Sequence, residues 1–195
     1  VVGNENDALK NGEIFLFNHF ARFETLIPPY IIHREEGAYC RSVADAGLFA
    51  GGGKFADLLH DVGAVPNNLP GLLPFLAAEI LRGRKVVIFP EGAMIKDRRI
   101  TDDMGELGIF SHKHNLFRKH HRGAAVLAFT LEMFKRRILS VFVAGNERRI
   151  KHWQTALGHP SKEALFEAAS KPTLIVPGNI TFYPVRIDDN ILTKG

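Results

Sequence analysis

The sequence contains a single cysteine, Cys40, among 195 residues. One cysteine cannot form a disulfide within the chain and cannot supply a multi-cysteine metal site, so the sequence excludes both. The scarcity of cysteine is typical of a protein from a reducing compartment. We interpret Cys40 itself as a small buried hydrophobic residue rather than as a nucleophile.

Long hydrophobic runs are also missing. No uninterrupted apolar stretch approaches the ~20 residues that a membrane-spanning helix requires. The chain begins at Val1 rather than at a methionine, which we interpret as a segment of a longer protein. Any membrane contact of this segment is therefore expected to be peripheral, or to be supplied by regions outside it.

A strong excess of charge of either sign is absent, because 25 basic residues stand against 21 acidic ones and leave a formal net charge of +4. Dedicated nucleic-acid surfaces are usually more basic, and no aromatic-rich RNA-binding motif accompanies the charge. We therefore expect no nucleic-acid partner. A mild positive charge favours contact with anionic lipids or phosphorylated small molecules.

Short apolar runs typical of strands alternate with longer amphipathic stretches, which predicts an α/β fold with a central, mostly buried mixed sheet flanked by helices. With 46% hydrophobic residues, a chain of this length forms one sizeable core, so a single domain over 1–195 is expected. The predicted strands are 13–17, 38–44, 85–90, 139–144, 174–176 and 179–185. The predicted helices are one that ends near 33 with Pro28 and Pro29 at a kink or in a first turn, and 55–60, 72–82, 122–134 and 161–169.

Three segments place polar or turn-forming residues where a predicted strand ends, which is where reactive side chains are often found. They are 18–24 (Asn-His-Phe-Ala-Arg-Phe-Glu), 89–92 (Phe-Pro-Glu-Gly) and 180–185 (Ile-Thr-Phe-Tyr-Pro-Val). In the first, His19 is followed by a carboxylate at Glu24, the pairing that general-base catalysis uses. Five residues of regular helix turn through about 500°, so His19 is predicted to precede the helix, on the turn.

In their order and approximate spacing these motifs resemble the glycerolipid acyltransferase family, which includes glycerol-3-phosphate and lysophosphatidic acid acyltransferases. That family carries an N-H-x4-D motif, a later F-P-E-G motif and a final V-P or x-P-[VI] signature. The matching residues cover nearly the whole chain: Asn18-His19 with Glu24, Phe89-Pro90-Glu91-Gly92, Arg122-Gly123-Ala124-Ala125, Val176-Pro177 and Tyr183-Pro184-Val185.

The resemblance implies a glycerol-phosphate acyltransferase-like fold and an O-acyltransferase of phospholipid biosynthesis. The acyl group would pass from acyl-CoA or acyl-carrier protein to a hydroxyl of glycerol phosphate or a lysophospholipid, with no metal and no cofactor. His19 would be the general base and Glu24 would orient its imidazole and stabilise the imidazolium. The residues implied in substrate binding are Asn18, Arg22, Glu91, Gly92 and Lys96.

The sequence departs from the family pattern at two points. Glu24 stands where the family has aspartate, one methylene shorter. The family's phosphate-binding arginine is expected near 63–68, where this chain has none. We therefore predict that Lys96 binds the acceptor phosphate as a point charge. Further candidates for this role are Arg22, Arg98 and Arg99.

Relative to the family, the region at about 130–172 resembles an insertion. It contains Arg148, Arg149 and Trp153. We interpret it as a lid or a surface decoration.

A basic cluster precedes the predicted helix at 122–134. Its histidines lack a partner cysteine or carboxylate within the run, which argues against a metal site. With the neighbouring lysines and arginines they predict a basic face toward lipid head groups or the acidic surface of a carrier protein. The histidines are His112, His114, His120 and His121.

Two other functions use the same residues. In a thioesterase-like hydrolase, His19 and its carboxylate would activate water to hydrolyse the thioester. In a non-catalytic lipid-binding module, the fold would be kept and no reaction would take place. For the acyltransferase, the partners would be the thioester donor, the phosphate-bearing acceptor and a membrane surface. The expected location is the cytoplasmic face of a membrane, with the chain peripheral or anchored by segments outside it.

Overall fold

A computed structural model of the chain describes residues 5–19, 23–92, 101, 104–106, 108–111, 116–118 and 121–181. The architecture is α/β, a five-stranded sheet with helices on both faces. The strands are β1 (Ile14–Phe17), β2 (Cys40–Ala44), β3 (Ala64–Pro66), β4 (Lys85–Ile88), β5 (Ile109–Ser111), β6 (Leu116–Arg118) and β7 (Ile175–Gly178). The helices are α1 (Glu5–Asn11), α2 (Ile27–Glu36), α3 (Gly53–Asp61), α4 (Leu72–Leu81), α5 (Gly123–Val143), α6 (Glu147–Leu157) and α7 (Lys162–Ser170), with 3₁₀ turns at Phe23–Leu26 and Ala46–Leu48.

The main sheet has the strand order β3-β2-β4-β1-β7, and each of its pairings is parallel. The prediction of a mixed sheet is therefore wrong for the described residues. The physical reason lies in the connections, because α2, α3 and α4 each carry the chain back to the end of the sheet at which the preceding strand began. Such crossovers join parallel strands. The antiparallel pair β5–β6 forms a separate hairpin.

The central strands β1 and β4 are buried on both faces of the sheet, as strands of parallel sheets usually are. Alternate residues of one strand point to opposite sides, so Ile14 and Val86 pack with α4, α5 and α7. Phe15 and Val87 pack on the other side with Ile32 of α2. Two cores thus hold β1 and β4 in register, which fixes the positions at which these central strands end.

Much of the predicted local structure is confirmed. The predicted strands 13–17, 38–44 and 85–90 correspond to β1, β2 and β4, and the predicted helix 72–82 corresponds to α4. Pro28 and Pro29 lie in the first turn of α2, where a missing N–H costs no hydrogen bond. Cys40 is buried, as expected for a structural cysteine.

The predicted strand at 139–144 is wrong, because residues 139–143 are the last residues of α5 and Ala144 is its C-cap. Short apolar runs do not distinguish a strand from a buried helix. Here the buried positions Leu131, Ile138 and Val141 follow helical spacing, and Leu131 and Ile138 belong to the main core. The apolar residues between them complete the helix surface.

The region at 130–172 forms most of α5 together with α6 and α7, and it is not a surface decoration. Leu131, Ile138 and Leu165 are fully buried in the main core. Lys135 of α5 is only 2% exposed and forms an ion pair with Glu13 at 2.7 Å, beside the start of β1. The interpretation as a lid or decoration is therefore wrong, since these helices form one of the layers that cover the sheet.

The last predicted strand, 179–185, lies partly outside the described residues. Residues 179–181 follow β7 without strand geometry, and 182–185 are not described. In the described part of the chain, no helix has both the length and the hydrophobicity needed to cross a bilayer.

Candidate functional site

The carboxyl ends of three neighbouring strands meet at one edge of the sheet. β1 lies between β4 and β7, and all three run in the same direction. The segments that leave these ends are 18–19, 89–92 and 179–181. Residues far apart in the sequence are thereby gathered at a single edge, which is where ligands bind in open α/β sheets.

His19 follows β1 and is bonded to the turn that follows β4. Its backbone N–H donates a hydrogen bond to Oε2 of Glu91 at 2.7 Å. The imidazole of His19 lies against the ring of Phe89, with 5.0 Å between ring centroids and 44° between ring planes. The two motifs that carry the family resemblance are therefore in direct contact, and Glu91 positions the backbone of the predicted base.

Asn18 is paired with the segment that follows β7. Its Nδ2 donates to the carbonyl oxygen of Ile180 at 2.9 Å, and the N–H of Ile180 donates to Oδ1 at 2.6 Å. The side chain thus imitates a strand backbone and extends the β1–β7 pairing by one step. This arrangement positions the residue before His19, while the predicted contact of Asn18 with substrate stays a prediction.

Gly92 closes the turn after β4 with φ at 63°, in the left-handed region that favours glycine. The backbone N–H of His121 donates to the carbonyl of Pro90 at 3.1 Å, which draws His121 onto this turn. A Cβ atom at position 92 would lie 2.5 Å from Nε2 of His121, closer than two such atoms can approach. The turn therefore requires glycine, and it has an imidazole directly beside it.

His121 is the site residue that the sequence interpretation missed. In the sequence it belongs to the basic cluster with His112, His114 and His120, which lie outside the described residues. The available signal was its position immediately before Arg122, at the start of one of the segments on which the resemblance rests. The structure places it beside the Gly92 turn, at the edge of the candidate site.

The remaining predicted site residues are only partly described. Glu24 lies in the 3₁₀ turn Phe23–Leu26, and His19 precedes this turn, as the spacing of the two residues predicted. The side chain of Glu24 is outside the described part of the structure, so its contact with His19 stays a prediction. The predicted phosphate ligands Arg22, Lys96, Arg98 and Arg99 also lie outside the described residues.

A cluster of arginines lies at the opposite, amino-terminal edge of the sheet. The carboxylate of Glu79, 2% exposed, accepts hydrogen bonds from Arg41, Arg82 and Arg84 at 2.6 to 2.8 Å. Burial raises the pKa of Glu79, but hydrogen bonds from Arg82 and Arg41 and the charges of Arg41 and Arg84 bring that pKa below its usual value of 4.5. These arginines hold the fold together at the far end of the strands and do not replace the phosphate-binding arginine missing from 63–68.

Known proteins give no direct guide to this site. No protein-family model, no curated protein and no solved structure matches the chain. Among the described residues, no group of three or more histidine, cysteine, aspartate or glutamate side chains is arranged to hold a metal ion. A function must therefore be proposed from the geometry of the carboxyl edge and from the resemblance of its motifs.

Proposed function

We propose that this chain is the catalytic domain of an O-acyltransferase that moves a fatty acyl group from a thioester to a hydroxyl of glycerol phosphate or a lysophospholipid. One observation carries most of the support, the 2.7 Å hydrogen bond from the His19 backbone to Glu91. It joins the segment that would supply the general base to the segment that would shape the acceptor site. An enzyme of this kind needs both at one place.

In the proposed reaction, Nε2 or Nδ1 of His19 takes the proton of the acceptor hydroxyl while its oxygen attacks the thioester carbonyl. The tetrahedral intermediate then collapses to the ester and expels the donor thiolate, which takes the proton from the His19 imidazolium and so restores the base. A positioned general base contributes about 10²- to 10⁴-fold to such a rate. Glu24 would hold the second ring nitrogen and stabilise the imidazolium.

The surrounding residues would position this base and leave room for the acceptor. Phe89 contacts the His19 ring in a tilted arrangement and restricts its orientation. Glu91 accepts the N–H of the peptide that joins Asn18 to His19, and the side chain of Asn18 is bonded to the backbone of Ile180. Productive proton transfer depends on such positioning, because small displacements of a reacting group cost large factors in rate.

The acceptor phosphate would lie near the turn that Gly92 closes. Lys96, four residues beyond Gly92, is the proposed phosphate ligand, with Arg22 as a second candidate. His121 adds an imidazole beside the same turn and can donate a hydrogen bond to an anionic oxygen. The donor would be acyl-CoA or acyl-carrier protein, and the acceptor would come from the cytoplasmic face of a membrane.

Mass spectrometry of lipids formed from a mixed panel of lysolipids, glycerol phosphate and acyl thioesters tests this proposal. An acyltransferase produces acylated lipid only when donor and acceptor are both present. Release of free fatty acid that does not depend on an acceptor would identify a thioesterase-like hydrolase instead. Binding to liposomes with no product of either kind would identify a non-catalytic lipid-binding module.

A further inference from the structure

One face of α5 exposes large apolar side chains. Val126, Phe129 and Met133 are spaced by three and four residues, so they form a line along the helix. Phe129 is 74% exposed and Met133 is 69% exposed. The opposite face of the helix, through Leu127 and Leu131, is fully buried in the core. We call the exposed line Val126, Phe129 and Met133 the α5 stripe.

Arginines lie at both ends of the α5 stripe. Arg122 precedes it, and Arg136 and Arg137 follow it, all three being exposed. The single acidic residue of α5, Glu132, forms an ion pair with Arg136 at 3.0 Å. The face is therefore apolar in the middle, with Arg122 at one end and Arg137 at the other, while the charge of Arg136 is balanced by Glu132.

The α5 stripe begins beside the candidate site. His121, which contacts the Gly92 turn, lies two residues before the first residue of α5. Val126 is the fourth residue of α5, so the stripe begins in the first turn of the helix. A surface bound to the stripe would consequently lie next to the carboxyl edge of the sheet.

We propose that the α5 stripe docks the chain on an anionic phospholipid bilayer. Phe129 and Met133 enter the boundary between head groups and acyl chains, and the flanking arginines contact lipid phosphates. A second copy of this chain fits less well, because α5 carries arginine at both ends of the stripe and either direction of helix pairing would bring arginines together. This inference deepens the proposed function, since it brings the site to the surface that supplies a lysolipid acceptor.

Flotation of the purified 195-residue chain with vesicles tests the inference without any need for turnover. The vesicles contain phosphatidylcholine alone or an equal mixture with phosphatidylglycerol. The double variant Phe129→Ser/Met133→Ser is compared with Phe55→Ser/Leu58→Ser, which removes two side chains of similar exposure (58% and 54%) from α3. Circular dichroism melting establishes that both variants fold.

We expect the parent chain to bind the anionic vesicles and the stripe variant to lose about 10-fold or more of that binding, while the α3 variant stays within about two-fold. The variant Arg137→Gln should lower binding to anionic vesicles by about five-fold, as expected for one cation near the surface. Binding to neutral vesicles should be much weaker throughout.

Several results would overturn the inference. These are undiminished flotation of the stripe variant, an equal loss in the α3 variant, or equal binding to neutral and anionic vesicles. A concentration-dependent dimer that the stripe variant abolishes would instead assign the face to a second copy. A wrong proposed function would be recognised separately. The mass spectrometry assay would then find no acylated lipid, while flotation of the chain with anionic vesicles would be unaffected.

Discussion

The backbone N–H of His19 and the carboxylate of Glu91, 72 positions apart in the sequence, are joined by a hydrogen bond of 2.7 Å. This bond connects the turn after β1 to the turn after β4. The two strands are hydrogen-bonded neighbours along their length, with Leu16 opposite Ile88. The bond therefore continues the sheet pairing into the loops and holds the proposed base at a defined place.

Glu91→Ala should lower kcat for acyl transfer by roughly 10- to 100-fold, since a hydrogen bond to an ionised group contributes about 1.5–3 kcal/mol. Acceptor KM should change much less, because the role is to position His19. Glu91→Gln keeps a carbonyl that accepts the same N–H and should retain most activity. Steady-state kinetics of both variants check this prediction. Full activity of Glu91→Ala, or equal loss in the two variants, would contradict a positioning role.

Gly92→Ala should impair activity more than stability. A left-handed φ costs an alanine about 1–2 kcal/mol, and the new Cβ also pushes against the His121 ring. Gly83→Ala is the matched control, because Gly83 has φ at 87° but its Cβ would meet no atom within 4 Å. Urea unfolding should show similar destabilisation of both variants, with acyl transfer reduced only in Gly92→Ala. Equal rates of acyl transfer by the two variants would show that the contact between Gly92 and His121 is unimportant for activity.

Glu79→Gln should reduce the free energy of unfolding at neutral pH, since it leaves three arginines without their counter-charge. We expect a loss of about 2–3 kcal/mol, below the roughly 3–5 for a fully buried pair because the arginines are partly exposed. The pKa of Glu79 is lowered in the folded state, so its contribution is complete above the usual value of 4.5 and is lost as the pH falls through the lower, folded value. Urea unfolding at several pH values should show the gap between parent and variant narrowing below pH 4.5. A gap that does not change with pH would show that the charge of Glu79 is unimportant.

Cys40 should resist alkylation until the chain unfolds. Burial raises the pKa of its thiol to about 11, from an ordinary value of 9.0. At pH 8 the thiolate fraction is then about one in a thousand, roughly 100-fold less than for a free thiol, and the side chain is also buried. Mass spectrometry after iodoacetamide treatment should find the folded chain unmodified and the urea-unfolded chain modified. Rapid labelling of the folded chain would show that Cys40 is accessible.

The central strands and α4 were predictable from sequence because local pattern and tertiary environment agree there. The run that forms β4 is mostly apolar, short and bounded by turn residues, which favours a buried strand over a helix. Strand direction was not predictable in the same way, because it depends on which end of the sheet each crossover returns to. The strand predicted at 139–144 was wrong for a related reason. Its apolar residues belong to the end of α5, and contacts with distant core residues decide which of them are buried.

At the site, the sequence indicated His19 and Glu91 separately, because each belongs to a local motif. It did not indicate His121. The neighbours of His121 are basic and suggest a solvated surface, whereas its position depends on one hydrogen bond to the carbonyl of Pro90, 31 positions earlier. Contacts of that kind arise from the path of the whole chain, which a local pattern does not contain.

The measurement that tests the central claim most directly is acyl transfer by His19→Ala beside His152→Ala. His152 is an exposed histidine of α6, a helix outside the strand-end turns that form the candidate site, so it controls for the loss of an imidazole. With donor and acceptor saturating and melting curves unchanged, His19→Ala should lose about 10²- to 10⁴-fold of the rate of product formation, and His152→Ala should match the parent. A His19→Ala chain that forms acylated lipid within a few-fold of the parent rate would contradict the assignment of His19 as the base.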